Sequence, residues 1–174
     1  MIWFAVYLVL SAALLAAAWP NLRTPSRHGF YRYFAFEVLL GLVLLGAPYW
    51  FDDPLSARQV LSWILLAGSA ALAAHGFAML RRHGAPTGGI ETTRALVERG
   101  AYRWVRHPLY GSLLLAGVGA LLKHVTPWSL GLVLALAGLL RATARVEESE
   151  NLERFGQAYR DYMGRTRRFI PFLY

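Results

Sequence analysis

The amino-acid sequence predicts an all-α integral membrane protein with about five transmembrane helices. Hydrophobic residues make up 56% of its 174 positions and charged residues 16%, whereas a typical soluble domain carries about 25% charge. The mean hydropathy is +0.37. The net charge of +8 suits a membrane protein whose polar loops contact anionic lipid. We therefore expect the lipid bilayer, and no nucleic acid, as a partner.

Three long apolar runs predict the first three helices, since a helix that crosses a bilayer needs about 20 mostly apolar residues. They cover residues 2–19, 34–50 and 60–80. The first run could also be a cleaved signal peptide, but no basic residues precede it, so we expect it to remain as a span. Glu37 is the only acidic residue within a predicted span.

Two shorter apolar runs, residues 109–122 and 128–140, predict the last two helices. The sequence KHVTP separates them, and each is short for a full span alone. They could form one tight hairpin, or two helices that are lengthened by amphipathic ends. We expect five helices in one integral membrane domain that covers residues 1–174.

The basic residues support five spans and predict an orientation. Of the 18 lysines and arginines, 16 lie between helices one and two, between helices three and four, or after helix five. Five spans place these three segments on one side of the membrane, with only Arg58 and Lys123 on the other. The positive-inside rule then predicts that the N-terminus lies outside and that the C-terminus and the basic segments are cytoplasmic.

Several kinds of site are excluded by the residues that the sequence lacks. The chain contains no cysteine, which excludes disulfides, thiolate metal sites and cysteine nucleophiles. It has no zinc-site spacing, no P-loop and no G-x-G-x-x-G segment before a soluble helix. We therefore expect no metal, and function is predicted to reside in two polar segments outside the hydrocarbon.

The first polar segment, residues 96–112, has the sequence LVERGAYRWVRHPLYGS and enters helix four. Pro108 suits the first helical position, where its missing N–H costs nothing. Arg106 and His107 then precede a helix N-terminus, whose free N–H groups and dipole favour an anion. Arg106 could instead anchor helix four among the lipid headgroups.

The second polar segment, residues 141–171, extends helix five, and Gly156 is predicted to end that helix. Glu147 and Glu148 follow the predicted membrane edge, where a pocket could close over them. The other acidic residues of this helix, with Arg154, fit a solvated face that carries intrahelical ion pairs.

Together the two segments would place an anion site opposite a pair of carboxylates. A ligand with a carboxylate, an amine and a ribose, such as S-adenosylmethionine, fits this combination. An ion-pair network between the two segments would produce the same pattern.

The two segments resemble the membrane methyltransferase family that includes isoprenylcysteine carboxyl methyltransferase and the phospholipid N-methyltransferases. The family pattern is LV-x-x-G-x-Y-x-x-x-RHP-x-Y, then EE, then FG-x-x-Y-x-x-Y and a terminal IP. The resemblance covers about the last half of the chain. The loop before the first segment departs from the family's TP-x-x-P pattern and reads APTGGIETT, which leaves the methyl acceptor open. The matching residues are Leu96, Val97, Gly100, Tyr102, Arg106, His107, Pro108, Tyr110, Glu147, Glu148, Phe155, Gly156, Tyr159, Tyr162, Ile170 and Pro171.

The resemblance implies that S-adenosylmethionine binds in a cytoplasmic pocket formed by the loop before helix four and the C-terminal tail. The acceptor would be lipophilic, such as an isoprenylcysteine carboxylate or a phospholipid amine, and would arrive from the bilayer between helices. The residues expected to bind the cofactor are Leu96, Val97, Gly100, Tyr102, Arg106, His107, Pro108, Tyr110, Glu147 and Glu148.

Methyl transfer needs an in-line nucleophile about 3 Å from the methyl group and the exclusion of water. A carboxylate acceptor is already ionised near neutral pH, whereas an amine must first give up a proton to a carboxylate or histidine. The candidates for catalysis are Arg106, Glu148 and Arg168, and those for acceptor binding are Glu37, Tyr159 and Tyr162. Glu37 could instead pair with Arg32 or Arg106.

Two other functions remain open at this point. One is an NADPH-dependent oxidoreductase that resembles the sterol reductases, although those enzymes have more helices. The other is a membrane protein that binds lipid without catalysis. Binding of S-adenosylhomocysteine, of NADPH or of neither would separate the three.

Overall fold

Helices account for most of the protein, whose structure is a computed structural model that describes residues 2–87 and 93–171. Short 3₁₀ turns at Ala47–Tyr49 and Gly100–Arg103 join the helices. No strand is present in the described ranges, apart from one isolated parallel bridge between Val105 and Arg167. The α-helices are α1 Ile2–Leu22, α2 His28–Gly46, α3 Ala57–His83, α4 Pro108–Leu121, α5 Pro127–Phe155 and α6 Gln157–Arg165.

The predicted fold class is confirmed. Among the described residues, α1, α2, α3 and α5 are long and apolar enough to cross a membrane. The fifth apolar helix, α4, has 14 residues and is about 21 Å long, short of a hydrocarbon core of roughly 30 Å. It lies against α2, α3 and α5, so most of its surface contacts protein.

Small residues let α4 approach its neighbours closely. A Cβ atom on Gly117 would lie 2.5 Å from Leu136 of α5, and one on Gly119 would lie 2.9 Å from Leu66 of α3. The buried core of the bundle joins α2, α4 and α5 and includes Ala35 and Leu140. Helix α1 packs on α2 and has no buried residue, so its apolar surface is left to the bilayer.

Local signals explain where the last helices begin and end. Pro108 occupies the first turn of α4, as the sequence predicts. Thr126 and Ser129 form a reciprocal capping box at the start of α5. Helix α5 ends at Phe155, because Gly156 adopts a positive φ of 57° and redirects the chain into α6. The two short apolar runs are therefore two helices, and only α5 is lengthened by its polar end.

The basic segments meet at one end of the bundle, as five spans require. Arg32, Arg106 and Arg154 come from the three segments and line one cavity. At the opposite end, the Arg58 guanidinium donates to the carbonyl oxygens of Leu122 and Lys123, at 2.9 and 2.8 Å. This arrangement agrees with an odd number of spans, and the side of the membrane stays a prediction.

Candidate active site

A cavity of about 470 Å³ opens at the basic end of the bundle, between α2, α3, α4, α5 and α6. Its lining divides into an apolar part and a polar part. The apolar part comes from the three helices α2, α3 and α4 and consists of Phe36, Ala73, Phe77, Leu80, Leu109 and Leu113. The polar part comes from the two polar segments and the start of α2, and includes His28, Arg32, Tyr102, Arg106, His107, Tyr110, Glu147, Glu150, Asn151, Arg154, Tyr159 and Tyr162.

The loop before α4 is fixed to α3 through Gly100 and His75. Nε2 of His75 accepts a hydrogen bond from the backbone N–H of Ala101 at 3.1 Å. Gly100 has a φ of +60°, and a Cβ atom there would clash with the same Nε2. Glycine is therefore required by both conformation and close approach. This turn carries Tyr102 into the cavity wall.

The C-terminal tail completes the same wall. The backbone N–H of Arg106 donates to the carbonyl of Arg167 at 2.7 Å, and that of His107 donates to the carbonyl of Arg168 at 3.1 Å. The hydroxyl of Tyr162 donates to the carbonyl of Tyr102 at 2.7 Å. The predicted association of the loop before helix four with the C-terminal tail is confirmed.

Tyr102, Tyr159 and Tyr162 are buried, with at most 7% of each residue exposed. Burial raises the pKa of all three hydroxyls above the ordinary value for tyrosine. They therefore stay protonated at physiological pH and act as neutral donors.

Glu148 is the centre of a buried ion-pair network. Its Oε1 accepts from Nε of Arg106 at 2.8 Å and lies 3.3 Å from Nε2 of His107. Its Oε2 accepts from Nη2 of Arg168. The Arg106 guanidinium also donates to the carbonyl of Thr166 at 2.6 Å, just beyond the end of α6. Arg106 is thus held inside the protein by α5 and the tail. Of the two interpretations of the polar segments, the ion-pair network between them is the one that applies to Glu148.

Glu147 has a different environment from its neighbour. Its side chain is 31% exposed and lines the cavity, whereas Glu148 is 5% exposed and is not among the described lining residues. The hydroxyl of Tyr110 donates to Oε2 of Glu147 at 2.5 Å, and Nδ1 of His107 lies 3.7 Å from the same oxygen. Consecutive carboxylates therefore point to different partners, one to the ion-pair network and one to the cavity.

The cavity includes a histidine–carboxylate pair that the sequence analysis missed. Nδ1 of His28, at the start of α2, lies 2.6 Å from Oε2 of Glu150 on α5. Glu150 therefore pairs with a different helix and not only within its own, Arg154 donates to the carbonyl of Thr93 at 3.3 Å, and both residues line the cavity. Glu150 lies three residues after Glu147, and Arg154 lies four residues after Glu150, so all three share one helical face. This spacing is the sequence signal that could have placed Glu150 and Arg154 at the cavity.

The other predicted site residues divide into lining and supporting positions. Glu37 accepts from the hydroxyl of Tyr7 at 3.2 Å; it pairs with neither Arg32 nor Arg106 in the described structure and does not line the cavity. Gly100, Pro108 and Arg168 are not among the described lining residues. The predicted residues that line the cavity are Leu96, Val97, Tyr102, Arg106, His107, Tyr110, Glu147, Tyr159 and Tyr162. Among the residues that the structure describes, no cluster of metal-binding side chains occurs.

Comparison with known proteins assigns the family. No individual curated protein matches the chain significantly. The family model described as phospholipid methyltransferase matches residues 57–167, which is more than half of the chain and includes α3, α4, α5 and nearly all of both polar segments. The chain is therefore a membrane protein that belongs to the phospholipid methyltransferase family.

Proposed function

We propose that this protein transfers the methyl group of S-adenosylmethionine to a lipid of the membrane in which it resides. Family membership supports methyl transfer to membrane lipids. The observation that carries the proposal is the divided cavity, whose polar part contains seven residues of the family motif and whose apolar part comes from three apolar helices. Its volume is within the range of about 300–1,000 Å³ that is usual for small-molecule sites.

The residues of the polar part fit the chemical groups of the cofactor. The carboxylate of Glu147 would hold the ammonium group or the ribose hydroxyls, with Tyr110 fixing its position. Leu96 and Val97 supply apolar surface for a purine. Arg154 supplies a cation for the carboxylate of the methionine part, since guanidinium groups bind carboxylates well.

The ion-pair network has a positioning role in this proposal. Arg106 ties Glu148 on α5 to the carbonyl of Thr166 in the tail. Glu148 in turn binds Arg168. The network therefore holds α5, the loop before α4 and the tail in one arrangement, which keeps Glu147 and the buried tyrosines aimed at one space.

The lipid acceptor would reach the cavity from the side. Helices α2 and α3 both pack on α4 but make no substantial contact with each other within the described residues. Phe36 of α2 and Phe77 of α3 line the apolar part together with Leu109 and Leu113 of α4. Phe77 is 44% exposed, which fits a position at a lateral opening to lipid.

The chemistry asked of the protein is mainly orientation and exclusion of water. Bound S-adenosylmethionine supplies an electrophilic methyl group. The polar part with its buried tyrosines and the apolar part would keep water from the reacting atoms, and a lateral opening would align the acceptor with the cavity. The 16 basic residues of the three segments lead us to infer that this end of the bundle faces the cytoplasm, with the N-terminus outside.

A transfer assay tests the proposal. The purified protein in nanodiscs is given labelled S-adenosylmethionine with membrane lipid extract and with a prenylcysteine, and the lipid products are separated. We expect label in lipid, together with thermal stabilisation by S-adenosylhomocysteine. Stabilisation by NADPH instead would favour the reductase alternative, and stabilisation by neither would favour passive lipid binding.

A further inference from the structure

His28 and Glu150 form a pair that the methyltransferase motif does not include. His28 lies outside the matched residues 57–167. Its Nδ1 is 2.6 Å from Oε2 of Glu150, and its backbone N–H donates to Oε1 of the same carboxylate at 3.2 Å. Both side chains line the cavity and are partly exposed to it, at 17% and 26%.

The geometry fixes which ring nitrogen can take up a proton. An ionised carboxylate only accepts hydrogen bonds, so Nδ1 of His28 carries the hydrogen that lies between ring and carboxylate. Nε2 makes no hydrogen bond within the described structure, and in the neutral ring with hydrogen on Nδ1 it carries the lone pair. A carboxylate that orients one nitrogen and stabilises the imidazolium leaves the other nitrogen as a general base.

We propose that His28 is the base that deprotonates a lipid amine, with Glu150 as its positioning residue. This inference rests on the proposed function and narrows the acceptor to an amine. An ammonium group has no lone pair and cannot attack a methyl group, whereas a carboxylate acceptor is ionised already and needs no base.

Each bond change in this step is balanced. The N–H bond of the lipid ammonium breaks and its proton binds Nε2 of His28. The freed lone pair forms the new C–N bond with the methyl group as the C–S bond of the donor breaks, and the electron pair of that bond stays on sulfur. The imidazolium then releases its proton to water at the cavity mouth.

The charged groups that share the cavity with His28 carry both signs. Arg32 on α2 and Arg154 on α5 line the same cavity, and the N-terminus of α2 adds a partial positive charge at His28. The carboxylates of Glu150 and Glu147, both on α5, carry the opposite charge and line the cavity as well.

The test follows the pH dependence of methyl transfer to phosphatidylethanolamine in nanodiscs at saturating S-adenosylmethionine. Without the base, the rate depends on amine that is already neutral in solution, and that fraction rises about tenfold per pH unit below the ordinary amine pKa near 10. We expect His28→Gln to lose roughly 10²- to 10⁴-fold in rate near pH 7, and this deficit to shrink by about tenfold per unit up to about pH 9.5. Glu150→Gln should show a smaller deficit that shrinks in the same direction.

The matched control is His83→Gln, at an exposed histidine at the end of α3, which should follow the wild type. Thermal stabilisation by S-adenosylhomocysteine reports an intact cofactor site in each variant. If His28→Gln does not fold, the pH dependence of Glu150→Gln is measured in its place. A His28→Gln rate equal to wild type, or lowered by one factor at every pH, would overturn the assignment.

Transfer assays of the wild type with amine and carboxylate lipids separate failure of the His28 assignment from failure of the proposed function. A wild-type protein that methylates a carboxylate lipid and no amine overturns the role of His28 and leaves the proposed function standing. A wild-type protein that methylates no lipid at all overturns both.

Discussion

The two adjacent glutamates on α5 give opposite predictions for binding and for stability. Glu147 lines the cavity with 31% of its side chain exposed, and Glu148 lies in the ion-pair network with 5% exposed. Under the proposed function, Glu147→Gln removes a charge-assisted hydrogen bond to the cofactor, which is worth about 1.5–3 kcal/mol. That corresponds to a 10- to 150-fold loss of affinity, since about 1.4 kcal/mol is tenfold.

Glu148→Gln should instead damage the folded protein. The substitution removes the carboxylate partner of the guanidinium groups of Arg106 and Arg168, whose side chains are only 10% and 15% exposed. Removing one partner of a buried ion pair costs about 3–5 kcal/mol. The expected result is a large drop in unfolding temperature, with a smaller effect on affinity in the fraction that remains folded.

Calorimetric titration with S-adenosylhomocysteine and thermal unfolding in the same detergent measure the two effects. Glu153→Gln is the matched control, because Glu153 is exposed on the same helix and outside the cavity lining. Glu150 on the same helix does not serve as a control, because it pairs with His28. Equal and small effects on affinity from Glu147→Gln and Glu153→Gln would refute the assignment of Glu147 to the cofactor.

Three further predictions concern the scaffold. Gly100→Ala should lower the unfolding temperature and weaken S-adenosylhomocysteine binding, because a residue with a side chain at a φ of +60° costs about 1–3 kcal/mol and its Cβ atom meets His75; unchanged unfolding and binding would contradict this. A reporter fused after Tyr174 should give a cytoplasmic signal, and a signal from the opposite side would overturn the inferred orientation. Lys123, the only lysine, is fully buried, so an amine-reactive probe should label it only after unfolding; labelling of the folded protein would disprove its burial beside Gln59 and Trp63.

The sequence predicts the helices well where apolar length decides the structure. The run at residues 2–19 corresponds to α1, Ile2–Leu22. The sequence predicts the start of α2 poorly, because the helix begins at His28, six residues before the apolar run at residues 34–50. It predicts the end of α5 well, because Gly156 follows the polar extension and the helix ends at Phe155.

The candidate site was predictable where neighbours in sequence are also neighbours in space. The family pattern identified Tyr102, His107 and Glu147 at the cavity. It could not distinguish Glu147 from Glu148, because the direction of each side chain depends on the rotation of α5 against the tail. His28 was missed for a related reason: its partner lies 122 positions away, and only the packing of α2 on α5 brings them together.

Helix α2 has a distinct part in the cavity, since it lies outside the family match at residues 57–167. His28, Arg32 and Phe36 are spaced by four residues, share one helical face and line the cavity. The motif residues for the cofactor all lie elsewhere, so α2 should govern the acceptor. Phe36→Ala should therefore raise KM for the lipid about tenfold, for a loss of about 1.4 kcal/mol of apolar contact. The affinity for S-adenosylhomocysteine should change by no more than about twofold, which is well below the expected tenfold change in KM. Steady-state kinetics with varied lipid and calorimetry with S-adenosylhomocysteine measure the two quantities, and equal losses in both would show that α2 does not separate acceptor from cofactor.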